Sequence, residues 1–320
     1  MNTSFLSRLT NRATTEFHRR RYHLAAAAVF GTPPIQPGTA NFTLLSMVQK
    51  RDVASYLVAV KSFVHYLNPS RIVVVCDPSM DAQDKSTLQQ HIPHIELRDA
   101  GEFTHPDIPR GGCWERLLAI TGYATDNYVV QLDADTISYG HLDAVKGAIE
   151  GGRGFVIGEE PAQHIYTLPE TAARVSLPSV APGGKNPHIQ ICAEAVMDCV
   201  GLSPDKKYVR GCAGFTGFLP NPEMQKEFFE FSAAMFKHFG ERWKEWGTEQ
   251  ITSNFLVANC KNQTLVLPYP DYGTPDVKND KTVFLHFIGS MRFINGRYRQ
   301  LTLDVIKELK ASNITVSTIN

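Results

Sequence analysis

Two carboxylates separated by one alanine, Asp133-Ala134-Asp135, stand directly behind the apolar run at 127–132 (NYVVQL). A strand that ends there lets the chain leave extended geometry, so both side chains can turn to one side and share a hard divalent cation. Such an ion, still partly hydrated, can bridge the two phosphates of a nucleoside diphosphate. The same triplet also arises at loop starts and in helix caps, where no ion is involved. Its place behind an apolar strand is what points to metal chemistry. Asp77 closes a second such run, 71–76 (RIVVVC), and Ser46 lies near the end of a third, 42–48 (FTLLSMV). Both are candidates to meet a nucleotide, although Asp77 also reads as the cap of the Asp77-Pro78 turn.

The elements that must position these residues alternate. After the strand at 42–48 comes a helix at 52–67, then the strand at 71–76, a helix at 81–92, a weaker strand at 94–98, a helix at 113–125 and the strand at 127–132. Strands without polar alternation, separated by helices, predict an α/β fold with a mostly parallel sheet covered on both faces. Ligands of such sheets bind beyond the carboxyl ends of the strands, where Asp77 and Asp133 fall. Residues 160–190, rich in Pro, Gly and Ala, read as a loop that orders over the site when a ligand binds. Residues 222–239 predict a helix with a proline start, a Gly240 stop and a phenylalanine stripe that packs in the core. The short apolar stretch at 282–285 reads as a further strand.

Residues 31–38 (GTPPIQPG) form a Pro/Gly linker. The expected division is therefore a helical arm and linker at 1–40, a single catalytic domain at 41–300, and a C-terminal helix and tail at 301–320. Within the arm, 18–30 (HRRRYHLAAAAVF) is basic and then apolar. Its apolar part is short and internal for a signal sequence. It reads as an amphipathic helix that packs on the domain or touches anionic lipid.

Lys plus Arg and Asp plus Glu number 32 each, which argues against a nucleic-acid binder, since phosphate neutralisation needs a basic excess. The six cysteines form no CxxC pair, so a zinc site is not expected. Cys76 and Cys260 lie in apolar runs and read as core residues, which favours a reducing, cytoplasmic setting. No run is long and apolar enough to span a bilayer, which leaves peripheral contact as the expected relation to a membrane. The sequons at Asn2, Asn41, Asn262 and Asn313 carry little weight without a secretory signal. A G-x-S-x-G elbow, a Walker A loop, an HExxH helix and a G-x-G-x-x-G turn are all missing.

The segment NYVVQLDADT resembles the D-x-D segment of GT-A-fold glycosyltransferases, and is most similar to the retaining family 8 enzymes typified by glycogenin. Arg116-Leu117 stands where that family has a Lys-Leu that contacts the donor. Residues 214–218 (GFTGF) resemble its F-N-x-G-V segment at Thr216 and Gly217, without the Asn. Residues 249–254 (EQITSN) keep the spacing of its D-Q-x-x-x-N, with Glu249 for Asp. Residues 285–292 (LHFIGSMR) match H-F-x-G-x-x-K, with Arg292 for Lys, and Phe293-Ile294 replace the Pro-Trp that often follows. The resemblance covers about 41–295.

It implies a GT-A-type, Rossmann-like sheet and transfer of a sugar from a nucleotide donor, UDP-linked, to a hydroxyl acceptor on a glycan, lipid or protein, with retention at the anomeric carbon. His286 becomes the third protein ligand beside Asp133 and Asp135, and should lie close to them in space. Imidazole with carboxylates shifts preference from Mg²⁺ toward Mn²⁺. The alternative for His286 is a buried histidine bonded to a backbone carbonyl. Ser46, Asp77, Arg116, Asp133, Thr216, Gly217, Gly289 and Arg292 are the expected donor contacts. Gly289 would admit backbone close to the phosphates, and Arg292 would neutralise the leaving group. Glu249 and Gln250 are the expected catalytic pair near the anomeric carbon; Glu249 is the natural base if the reaction inverts. It also fits the first turn of a helix capped by Thr248. Trp243 and Trp246 suit core packing better than sugar stacking. Two rivals remain. One is a nucleotidyltransferase that makes nucleotide sugars, although the first loop, 49–52 (QKRD), lacks the glycines of that class. The other is an inactive nucleotide-sugar-binding module.

Overall fold

The computed structural model describes residues 3–158, 163–175, 187–275 and 280–317. Helix α1 (Thr3–Ala26) runs through a 3-10 turn, Ala27–Gly31, toward strand β1 (Ala40–Val48). Then come α2 (Val53–Tyr66), β2 (Pro69–Cys76), α3 (Ala82–His91), β3 (Glu96–Asp99), α4 (Trp114–Tyr123) and β4 (Val129–Leu132). Next are β5 (Thr136–Ser138), α5 (Asp143–Glu150), β6 (Phe155–Gly158), β7 (Tyr166–Thr167), α6 (Leu168–Arg174), α7 (Ile189–Glu194) and β8 (Lys207–Tyr208). The last third holds β9 (Gly211–Phe218), α8 (Met224–Phe239), α9 (Thr248–Ala258), β10 (Leu265–Leu267), β11 (Tyr272–Gly273), β12 (Phe284–His286) and α10 (Arg297–Ser317).

The central sheet has seven strands in the order β10-β6-β9-β4-β1-β2-β3. β1, β2, β3 and β4 pair in parallel, as do β6 and β10. β9 alone in this sheet runs antiparallel, between β4 and β6. The middle strands are mainly apolar because both faces are covered, with Val73, Val74 and Val75 in β2 and Val129 and Val130 in β4; the polar residues they carry, Thr43, Ser46 and Gln131, are buried. Phe42, Leu44 and Val48 of β1, Ile72 and Val74 of β2, and Val130 and Leu132 of β4 face a core shared with α1, α2 and α5. The alternate residues, Leu45, Val73, Val75 and Val129, face a second core with α4, α8 and α9. Each such side chain contributes about 1.5–3 kcal/mol on leaving water, so the alternation holds the register that delivers Asp133 to the sheet edge.

One expectation changes. The stretch 160–190 is not all loop. Thr167 caps α6 through a reciprocal capping box with Glu170, with Pro169 in the first turn, and β7 pairs with β8. Thr-x-x-Glu is a helix-start signal that the Pro and Gly content obscured. The remaining parts of the expected lid, 159–162 and 176–186, lie outside the described residues. α1 packs along α10 and α2, and Tyr22, Ala26 and Val29 are buried in the first core.

Candidate active site

β4 ends in a clamped turn. The Asp133 amide donates to the Gly214 carbonyl (2.8 Å), and Thr136 Oγ1 donates to the Asp133 carbonyl (2.9 Å). β12 then pairs antiparallel with β5, placing His286 opposite Thr136, while the Phe287 amide donates to the Asp135 carbonyl (2.8 Å). The acidic turn is thus fixed by backbone bonds to β9 on one side and to the chain beyond β12 on the other.

The result brings together residues 151 positions apart in sequence. His286 Nε2 lies 3.1 Å from Asp135 Oδ1 and 3.6 Å from Asp133 Oδ2. One ligand atom from each of the three falls within 4.8 Å of the others, so the group could hold a metal ion. The second oxygen of each carboxylate is taken by a guanidinium. Arg116 donates to Asp133 Oδ1, and Arg292 to Asp135 Oδ2. Arg116 also donates to Glu249 Oε1 (3.1 Å), and Arg292 lies 3.6 Å from Asp52 Oδ1.

Four acidic side chains, Asp52, Asp133, Asp135 and Glu249, are thus gathered around two guanidiniums and the His286 imidazole. Burial pushes the Asp135 carboxyl up, but His286 and Arg292 outweigh it and hold it at about 2. Burial pulls the His286 imidazole down, yet Cys212 and Asp135 raise it well above its ordinary value. His286 thus favours a proton where its Nε2 meets the carboxylates. A metal ion needs the neutral ring, so it would replace that proton. Two carboxylates and an imidazole within 4.8 Å of one another are a donor set that could hold a divalent metal ion. Burial lifts the Glu249 carboxyl to about 7, against the pull of Arg116 and with help from Asp133.

Sequence reasoning missed two residues here. Cys212 Sγ sits 2.9 Å from His286 Nδ1, both side chains buried. Gly214 lies under the ring, where a Cβ would come within 2.0 Å of His286 Cε1. Only glycine leaves room for the imidazole. The run of small residues 211–214 (GCAG) was the available signal for such a close approach.

The other candidates are placed as follows. Gly289 turns the chain after β12 with a φ of 41°. Asp77 lies half-buried at the end of β2, on the same sheet edge as Asp133, and accepts from the Ser79 amide (2.9 Å). Ser46 is fully buried beside Tyr56, one residue beyond Leu45, which pairs with Gln131 near the end of β4. Thr216, opposite Gln131, is fully buried in β9, and Gly217 packs against Phe155 and Tyr128. Neither is among the residues that meet His286. Gln250 follows Glu249, half-buried. Thr248 is the first residue of α9 and not its cap. The cap is Gly247, in the left-handed region at φ 101°. The Thr248 hydroxyl instead donates to the Glu245 carbonyl (2.8 Å) and accepts from Trp114 Nε1 (3.2 Å). Trp243 is buried and bonded to Ser232, while Trp246 is exposed near His188.

No family model matches the chain, and no curated protein matches it. Solved structures match in fold. An active-site mutant of LgtC superposes with a TM-score of 0.52, covering 85% of this chain and 96% of that one at 12% identity. The bifunctional glycosyltransferase WbbM, in its apo form, gives a TM-score of 0.50 over 85% of this chain at 13% identity. This chain spans 51% of WbbM, about half its length. The fold is of the GT-A type. At such identities the likeness is one of architecture, and the reading of function rests on the site. No helix among the described residues is long and apolar enough to cross a membrane.

Proposed function

We propose that the chain is a glycosyltransferase that moves a sugar from a nucleoside diphosphate donor, UDP-linked, to a hydroxyl acceptor on a glycan, lipid or protein. A divalent cation, Mn²⁺ in preference to Mg²⁺, would be held by Asp133, Asp135 and His286. One observation carries the reading: two carboxylates and an imidazole from separate segments converge at the carboxyl edge of a GT-A-type sheet. When bound, the ion supplies Lewis acidity and a template for the diphosphate.

The chain's own residues do the rest. Arg116 and Arg292 each hold one carboxylate oxygen, which keeps the other aimed at the shared position. Arg292, a quarter exposed, also keeps fixed positive charge beside the place where a departing diphosphate gains negative charge. Glu249 is 5% exposed and bound to Arg116, a poor approach for an attacking water or hydroxyl. We assign it to positioning Arg116, and Gln250 to the sugar side of the cleft. This favours retention, the outcome the family resemblance implies. Wild-type protein incubated with UDP-sugars and Mn²⁺ should release UDP, and a chelator should stop the release. Pyrophosphate formation from UTP and a sugar phosphate would indicate a nucleotidyltransferase instead. Binding without turnover would indicate an inactive module.

A further inference from the structure

We propose that the outer face of α1 is a docking surface for an anionic lipid bilayer. Phe17 and Leu24 of α1, and Phe30 in the turn that follows, stand 55%, 79% and 46% exposed. At the helical angle between residues, Phe17, Arg21 and Leu24 share one stripe. Tyr22, Ala25 and Ala26 lie away from it and are buried against the body. The apolar stripe is therefore surplus to folding. The Arg21 guanidinium lies 5.3 Å from the Phe17 ring, and exposed Arg20 flanks the stripe, whereas Arg19 turns to the other side of the helix.

Charge decides the occupant. Between residues 12 and 31 there are four arginines, at 12, 19, 20 and 21, against the single acid Glu16, in a chain whose acids and bases balance as a whole. Glu16 pairs with Arg19 and Arg20 and leaves Arg21 over the aromatic ring. Apolar side chains flanked by guanidiniums are what an interfacial helix presents. The first reach about 5–10 Å into the acyl boundary, and the second sit among lipid phosphates. A second copy seated on this face would bring arginines against arginines.

Docking would also fix how the candidate site faces the bilayer. On the inner side of α1, Tyr22 stacks on Tyr298 (3.9 Å between rings), and Tyr298 stacks on Phe287 (4.1 Å), the neighbour of His286. Phe293, next to Arg292, lies 5.4 Å from Tyr22. The helix that carries the docking stripe is thus the backing of the segment that carries His286 and Arg292. The docking claim does not depend on sugar transfer, because its test reads binding and not turnover.

The test is co-sedimentation with vesicles of phosphatidylcholine alone or mixed with phosphatidylglycerol. The full chain should partition at least about tenfold more strongly onto the mixed vesicles, and less as salt is raised. Phe17→Gln with Leu24→Gln, and separately Arg20→Glu with Arg21→Glu, should each lower that partitioning at least about tenfold while circular dichroism and Tm are retained. Wild-type protein that stays in solution, or variants that bind as well as wild type, would overturn the proposal. So would a dimer, seen by light scattering, that the Phe17→Gln, Leu24→Gln pair dissolves, since the face would then belong to a second copy.

Discussion

His286 is held on three sides, by the carboxylates of the acidic turn, by Cys212 and by the backbone of Gly214. For Nε2 to ligate a metal, Nδ1 must carry the ring proton and donate it, and Cys212 Sγ is the acceptor in place. Cys212→Val should therefore weaken Mn²⁺ binding about 10–100-fold, with Cys212→Ser retaining more of it. Calorimetry with Mn²⁺ checks this, and unchanged affinity in the valine variant would remove Cys212 from the site. Gly214→Ala sets a methyl group where the ring now lies. It should displace the imidazole, lower Tm and weaken Mn²⁺ binding together. A variant with wild-type affinity would mean that the ring does not ligate. Asp133 and Asp135 were legible in the sequence because an apolar strand delivers them. Cys212 and Gly214 were not, because their role depends on an antiparallel strand inserted between β4 and β6. Local pattern does not report that neighbour. Thr216 and Gly217 of the same strand pair regularly with Val156 and Phe155 of β6, and Thr216 is fully buried.

At the scale of elements, α4 and α9 are tied through polar contacts beneath the acidic turn. Trp114 donates to Thr248, and Arg116 bridges Asp133 and Glu249. The Glu249 carboxyl has a folded pKa raised from 4.5 to about 7. Its protonated form is thus favoured by folding. That stabilisation is complete below 4.5 and is lost as pH rises through about 7. Relative to Glu249→Gln, which cannot ionise, the wild type should lose stability across this window. Denaturation series at several pH values measure it, and a difference that stays constant with pH would contradict the assignment. The alternation of β1, α2, β2, α3, β3, α4 and β4 was readable from valine-rich runs and helical spacing. The cap of α9 was misread because a hydroxyl in Thr248 looked like a cap, whereas the chain needs a left-handed residue one position earlier, which Gly247 supplies.

Over the whole molecule, the N-terminal helix belongs to the same packed body as the sheet. Packing on the domain was one of two readings that its basic and then apolar pattern allowed; which residues face inward was not legible, because few of them do. Tyr22→Ala removes a ring that is 1% exposed and stacked on Tyr298, and should cost about 3 kcal/mol. A Tm within a degree or so of wild type would show that the arm is dispensable. A metal-assisted nucleotide site on this fold requires that nucleotide binding depend on both the ion and the acidic turn. UDP is titrated calorimetrically into wild-type protein and Asp135→Ala, each with Mn²⁺ and with a chelator. Wild-type protein should bind UDP with Mn²⁺, and the chelator or the Asp135→Ala change, at unaltered circular dichroism, should abolish or greatly weaken binding. Equal UDP affinity in all four titrations, or an Asp135→Ala protein that still binds UDP and Mn²⁺ as wild type does, would contradict such a site.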